Sequence, residues 1–211
     1  MQLIGMLDSP YVRRVAISLQ VLGLPFEHRS LSVFRTFDQF SAINPVVKAP
    51  TLVCDDGTVL MDSTLILDYA EVLAAPKSLM PRGLAQRQAA LRTIGLALAA
   101  CEKSVQLVYE RNLRPAEKQH EPWADRVLGQ MHAAYGELEA ELAQRARPGT
   151  AQRIDAAGVA TAVAWYFTQR MLPASLKNAQ YPRLRELSAW AEQLPEFAAA
   201  PYGDGTVQPR N

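Results

Sequence analysis

What most constrains this chain is a change of period close to residue 80. Before it, short apolar runs of β character alternate with helical stripes. After it, the spacing is helical almost to the end. Alternating strands and helices bury their apolar faces as a sheet with helices packed on it, whereas successive amphipathic helices pack on one another. The 211 residues are therefore expected to form an α/β domain over 1–75, a linker at 76–83 and an all-α domain over 84–211. In the first part, residues 2–6 read as a strand. Val12, Val15, Ala16, Leu19 and Leu22 lie on one helical stripe closed by Gly23,. Residues 26–31 alternate as a second strand, 37–43 suit a short helix, and Asn44-Pro45 stops it,. Residues 50–54 and 59–61 flank Asp56-Gly57 as a hairpin, and Ile66, Tyr69, Ala70 and Leu73 resume the helical period,. Beyond the linker, Leu91, Ile94, Leu98, Cys101, Val105 and Val108 predict a long helix over Leu84–Asn112. Trp123 to Leu142 predicts another, residues 156–167 carry no charge and predict a buried helix, and Leu184, Leu187, Ala191 and Leu194 predict a last short one.

Composition narrows the function. Residues are 49% hydrophobic and 20% charged, enough for a core and too apolar for a disordered chain,. Lys and Arg number 22 against 21 Asp and Glu, so no field gathers polyanions and nucleic acid is not an expected partner,. No apolar run approaches the ~18 residues of a membrane span, and the first ten residues lack the pattern of an export signal,. A cytoplasmic protein is expected. Cys54 and Cys101 sit in apolar segments as reduced thiols, and His28, His120 and His132 lack ligand spacing, so no metal is expected,.

Three short stretches can carry chemistry. Ser9-Pro10 joins the first strand to the first helix. Serine is a favoured N-cap and proline a favoured first residue, but a hydroxyl at a helix N-terminus also suits an anion such as a thiolate. Lys48-Ala49-Pro50 precedes the third strand, where proline serves as an edge device,. With a cis bond, the Ala49 N–H and C=O face outward and can pair with an extended peptide. Asp62-Ser63 opens the third helix. Both residues cap helices; alternatively, helix N–H groups and the Ser63 hydroxyl take a carboxylate while Asp62 takes an ammonium, as for an amino acid head group.

Together these stretches resemble the glutathione transferase family, as do the Asn44-Pro45 turn and the Leu79-Met80-Pro81 linker. The run Ser9-Pro10-Tyr11-Val12-Arg13-Arg14-Val15 is especially similar to bacterial members with an active-site serine. The resemblance covers essentially the whole chain. It implies a thioredoxin-like N-terminal domain, glutathione as co-substrate, a homodimer, and attack of the glutathione thiolate on a small hydrophobic electrophile. Carried onto this sequence, Ser9 donates to the glutathione sulfur, the Ala49 backbone pairs with the cysteinyl unit, and Asp62 and Ser63 hold the γ-glutamyl end. Lys48 approaches the glycine carboxylate. Phe34, Tyr109, Arg111 and Trp123 are the candidates for the electrophile pocket, by position and type. Ser9 and Val12 stand where redox relatives place two cysteines, which leaves no enzyme thiol for dithiol exchange,. Gln152 replaces the usual Ser or Thr three residues before Asp155, which puts the start of that helix in question, and Asp62 replaces a more frequent Glu or Gln. A non-catalytic binding or regulatory protein of this fold, or a glutathione-dependent isomerase or dehalogenase, would share these residues.

Overall fold

The computed structural model describes residues 1–144, 153–176 and 178–208. The chain divides into two compact units, one made of Met1–Leu79 with Glu192–Asn211 and the other of Met80–Ala191.

In the first unit, β1 (Gln2–Ile4), β2 (Glu27–Arg29), β3 (Thr51–Val53) and β4 (Val59–Met61) form one sheet in the order β2-β1-β3-β4. β1 runs parallel to β2 and antiparallel to β3, and β3 pairs antiparallel with β4 across the Asp56-Gly57 turn. The helices are α1 (Pro10–Leu22), α2 (Phe37–Ser41) and α3 (Ser63–Leu73). Leu3 and Ile4 point to opposite faces of β1 and both are fully buried, so the sheet is covered on both sides,. β1 is shorter than the apolar run 2–6 because Gly5 takes a φ of +135°. A Cβ there would lie 2.6 Å from Val12 Cγ2 and 3.2 Å from the Ala49 Cβ. Gly5 thus lets α1 and the loop before β3 close on the end of β1.

The predicted stripe of α1 is buried, and Gly23 closes the helix in the left-handed conformation, donating to Gln20 O at 3.0 Å,. The opposite side is buried too. Arg13 is 1% exposed because the last part of the chain lies over it. Its Nε donates to Ala200 O at 2.8 Å, its terminal nitrogens donate to both Glu192 carboxylate oxygens at 2.8 and 2.7 Å, and its guanidinium lies 5.6 Å from the Phe197 ring centre,. Gln20 adds a bond to Glu196 O. Glu192–Asn211, which the helical spacing groups with the second half, therefore packs with the first unit, and its short α8 (Pro195–Ala198) rests on α1. Farther along, Val207 N–H donates to His28 Nδ1 at 3.1 Å. That makes Nδ1 the acceptor, so Nε2 carries the proton and donates to Gly5 O at 2.7 Å,. Burial lowers the His28 pKa and keeps the ring neutral,.

The second unit contains α4 (Leu84–Asn112), α5 (Glu121–Ala143), α6 (Ala156–Met171) and α7 (Pro182–Ala191). α4 packs on α5 and α6, and α7 on both of the latter. The buried face of α4 runs through Ala90, Ile94, Ala97, Ala100, Cys101 and Ser104, while Leu91 is 55% exposed. Small residues there admit close approach of the Ala- and Val-rich α6, so the inward stripe is rotated from the one that the leucines suggested. α6, uncharged through residue 167, is buried on nearly every side. Asp155 caps it directly, accepting the Gly158 N–H at 2.7 Å, which fixes its start without Gln152, a residue outside the described ones,. Tyr135 O–H donates to Ala164 O, and the Thr168 hydroxyl links to Tyr135 and Ser104 at 2.6 Å each, joining α4, α5 and α6. Among the described residues no helix is long and apolar enough to cross a membrane.

The His28 geometry predicts a pH dependence. A folded pKa below histidine's ordinary value of ~6.5 means the unfolded chain binds the extra proton, so stability falls as pH drops through that value,. Protonation would also set two donors, Val207 N–H and Nδ1–H, against each other. Chemical unfolding of the native chain and of His28→Gln across the acid range should show the difference between them shrinking as pH falls. A difference constant with pH would contradict the neutral tautomer.

Candidate functional site

The chain leaves β1 through Gly5 and turns into α1 at Ser9, whose N–H donates to Met6 O at 3.1 Å. Ser9 caps α1 from an extended conformation, its Oγ accepting the Val12 N–H at a long 3.4 Å, and Pro10 fills the first helical position,. The sequence sets capping against chemistry here, but the two are compatible. A hydroxyl has one proton and two lone pairs, so accepting from Val12 leaves the proton to donate to an anion at the positive end of the helix. Beside it, burial pushes the Asp8 carboxyl above its ordinary range, against the opposing pull of the Ser9 N–H and Arg35,.

The segment before β3 is braced from within. Asn44, read from sequence as a stop signal, is 2% exposed. Its Nδ2 donates to Thr51 Oγ1 at 2.8 Å and its Oδ1 accepts the Val46 N–H at 3.0 Å, while Thr51 Oγ1 donates to Lys48 O at 2.7 Å. Val47 takes a φ of 51° and the Ala49-Pro50 bond is cis. Ala49, half-buried, stands next to the Gly5 backbone, and Pro50 is buried.

The third stretch opens α3. Asp62 has φ 74° and ψ 126°, an uncommon conformation for a residue with a side chain, and its Oδ1 accepts the Thr64 N–H at 2.9 Å,. Ser63 is 3% exposed. Lys48 Nζ lies 3.9 Å from Asp62 Oδ2, both side chains about half exposed, so this pairing contributes little stability,. The structure thus sets Lys48 beside the Asp62–Ser63 corner. It also adds a residue that the sequence pattern did not single out: Arg14, 5% exposed, whose Nη1 donates to Ser63 Oγ at 3.2 Å and Thr64 Oγ1 at 3.3 Å. Its position next to Arg13 on α1 carried no signal of this, because a pair of adjacent arginines ordinarily marks a solvated face.

The four electrophile-pocket candidates fall in different units. Phe34 is in the first, 58% exposed, its N–H bound to Ser32 Oγ. Tyr109, Arg111 and Trp123 are in the second, near the α4–α5 turn. Tyr109 and Trp123 are exposed there. Arg111 grips both Glu121 carboxylate oxygens, at 2.5 and 2.8 Å, tying the end of α4 to the start of α5. That bond raises the Arg111 pKa and lowers that of Glu121.

The chain is similar to several known proteins. Residues 3–78 match the profile of the glutathione S-transferase N-terminal domain. The uncharacterized GST-like protein YibF of Escherichia coli K12 is 25% identical over 173 residues, 82% of this chain and 85% of YibF. A glutathione transferase family member from Pseudomonas fluorescens Pf-5, solved with bound S-(propanoic acid)-glutathione, is 29% identical with a TM-score of 0.77, covering 99% of this chain and all of that one. A glutathione S-transferase from Methylobacterium radiotolerans, solved with glutathione sulfonate, is 27% identical with a TM-score of 0.82, covering 100% of this chain and 98% of that one.

Because Asn44 braces the loop carrying Lys48 and Ala49, Asn44→Ala should cost about 1–3 kcal/mol, leaving the Val46 N–H without its acceptor and Thr51 without its donor,. Urea unfolding measures it. Asn44→Asp keeps the acceptor for Val46 but sets a buried carboxylate against the Thr51 hydroxyl oxygen, so it should destabilise as well; an Asn44→Ala cost near zero would contradict the brace,.

Proposed function

We propose that this chain, whose residues 3–78 match the glutathione S-transferase N-terminal domain, is a glutathione transferase that binds glutathione, holds its sulfur as a thiolate at Ser9 and directs it at a small hydrophobic electrophile. The observation that carries the reading is the arrangement in one unit of the Ser9 hydroxyl at the start of α1, the Ala49 backbone beside Gly5, and Asp62–Ser63 at the start of α3. Whole-chain similarity to a structure holding a glutathione adduct supports it.

The chemistry is within reach of these groups. A thiol of pKa ~8.5 is only about 3% thiolate at neutral pH. Lowering that value by ~2 units makes thiolate the main form and requires roughly 2.7 kcal/mol. A hydroxyl bond to an anion supplies ~1.5–3 kcal/mol and the helix end ~0.3–1. Ser9 therefore need not act as a base. It holds the thiolate close to the electrophile, and proximity adds to the rate. The Ala49 N–H and C=O pair with the cysteinyl unit as an added strand does. Asp62 takes the γ-glutamyl ammonium, and Ser63 with the first N–H groups of α3 takes its carboxylate. Lys48 neutralises Asp62 until the ligand's ammonium replaces it, which frees Lys48 for a ligand carboxylate. Phe34, Tyr109 and Trp123 are apolar candidates for the electrophile side, and no metal is required. The exposed Leu84 and Leu91 of α4 support a homodimer, and the free thiols Cys54 and Cys101 suit a reducing cytoplasm,.

The decisive substitution is Ser9→Ala. It should raise the pKa of bound glutathione by a unit or more, read from the ultraviolet absorbance of the thiolate, while its Kd barely changes. An unchanged pKa would transfer the role to backbone N–H groups at the same helix end. Calorimetry should give one glutathione site per chain, weakened by Asp62→Ala; no heat at millimolar glutathione would overturn the reading. Product analysis with a panel of electrophiles separates conjugation from isomerisation or dehalogenation. Sedimentation should report about twice the 23.3 kDa chain mass,.

A further inference from the structure

We propose that Arg35 is a specificity-determining residue that gives the electrophile side a preference for electrophiles carrying a carboxylate. The inference rests on the glutathione reading above and deepens it, because the charge of the electrophile is then read within the first unit. Arg35 follows β2 on a turn that is fixed from inside. Ser32, 8% exposed, accepts the Phe34 and Arg35 N–H groups on its Oγ at 3.2 and 3.0 Å. Thr36 Oγ1 accepts the Ser32 N–H at 2.8 Å and donates to Ser32 O at 3.0 Å,. Phe34 and Arg35 therefore project from a closed set of bonds, and both are exposed. The Arg35 guanidinium is anchored to the segment that carries Ser9. Its Nη2 donates to Met6 Sδ at 3.4 Å, and the Met6 carbonyl accepts the Ser9 N–H at 3.1 Å. Its charge also reaches Asp8, the residue before Ser9, and pulls that carboxyl down against burial.

These contacts leave most of the guanidinium unspent. It has five N–H donors in a planar fork that matches a carboxylate. Among the described residues its one hydrogen bond goes to a thioether, a weak acceptor,. Asp204, held in place by the Ser30 hydroxyl on its backbone carbonyl at 2.6 Å, brings Oδ2 to 3.6 Å from Arg35 Nη2. That is longer than a hydrogen bond, and both side chains are largely exposed, so the pair contributes little stability,. A substrate carboxylate can displace Asp204 at low cost and take the fork with two bonds. The cation also answers a difficulty that such a substrate meets: an anionic electrophile is repelled by the thiolate it must approach and by Asp8, and Arg35 offsets that repulsion. With an aromatic chloride as electrophile, the thiol proton goes to solvent as the thiolate forms. The carbon–sulfur bond then forms, the carbon–chlorine bond breaks and chloride leaves with the bonding pair, while the carboxylate is unchanged.

A merely solvated arginine would show the same exposure, and paired ligands distinguish the cases. Calorimetry on the full chain compares two glutathione conjugates that differ in one group, S-(4-carboxy-2-nitrophenyl)glutathione and S-(4-carbamoyl-2-nitrophenyl)glutathione. The native chain should bind the carboxylate conjugate about fivefold tighter or more, and the preference should shrink as salt is added. Arg35→Gln should abolish the preference by weakening the carboxylate conjugate alone, with the Kd for glutathione itself changing by less than about twofold. Asp204→Asn removes the competing carboxylate and should widen the preference. Rates should follow: in Arg35→Gln, kcat/KM should fall about fivefold for 4-chloro-3-nitrobenzoate and less than about twofold for 4-chloro-3-nitrobenzamide. Equal Kd values for the two conjugates in the native chain, or a preference that survives Arg35→Gln, would overturn the proposal. Weaker binding of glutathione itself in Arg35→Gln would assign Arg35 to a carboxylate of glutathione and overturn it as well. Failure of the native chain to bind glutathione or either conjugate would instead overturn the reading on which the proposal stands.

Discussion

Two guanidinium groups buried side by side on α1 impose the main demand on the first unit. A cation removed from water costs several kcal/mol unless acceptors surround it, and adjacent helix residues point about 100° apart, so one partner cannot serve both. Arg13 is met by Glu192 and Ala200, which draws the last part of the chain onto α1. Arg14 is met by the hydroxyls at the start of α3. α1 thereby acts as a strut between the terminal segment and the Asp62–Ser63 corner, and its first turn holds Ser9 at a fixed place between them. Removing either partner set would take acceptors away from a buried charge, which costs more than the loss of a neutral bond.

The site itself is built from backbone conformations that the surrounding packing enforces. Gly5 at φ +135° closes β1 against α1 and Ala49; Val47 and Asp62 hold positive φ values despite their side chains. Such residues cost of order 1–3 kcal/mol each and persist only where neighbours over-determine them. Asn44 supplies that constraint for the first loop, and the Thr64 N–H bond supplies it at Asp62. The three stretches that carry the proposed chemistry are therefore held in shape before any ligand arrives, which lowers the entropy lost on binding.

The succession of strands and helices and the helical character of the later residues were legible because they depend on period and on punctuation by Gly, Pro and Asp-Gly, all local signals. Ser9, Ala49, Asp62 and Ser63 were legible as candidates because helix starts and x-Pro steps are local too. Arg13 and Arg14 were not. The stripe of Val12, Val15, Ala16 and Leu19 predicts a helix with one wet side, and what dries the other side lies more than 170 residues away in sequence for Arg13. The long helix shows a milder version: of its predicted stripe Ile94, Cys101 and Val108 are buried, but Leu91 is exposed and the buried face also takes in alanines at 90, 97 and 100. Asn44 looked like a terminator because its hydrogen-bond partner Thr51 belongs to another element.

The dependence of α1 on Glu192 and Ala200 also bears on the order in which the chain can mature. During synthesis the sheet and α1 precede the segment near residue 200, so Arg13 cannot reach Glu192 or Ala200 until that segment has been made. The residues of Met80–Ala191 are all synthesised before that moment. These Arg13 contacts join segments more than 170 residues apart in sequence, so they carry the loop-closure cost of long-range contacts,.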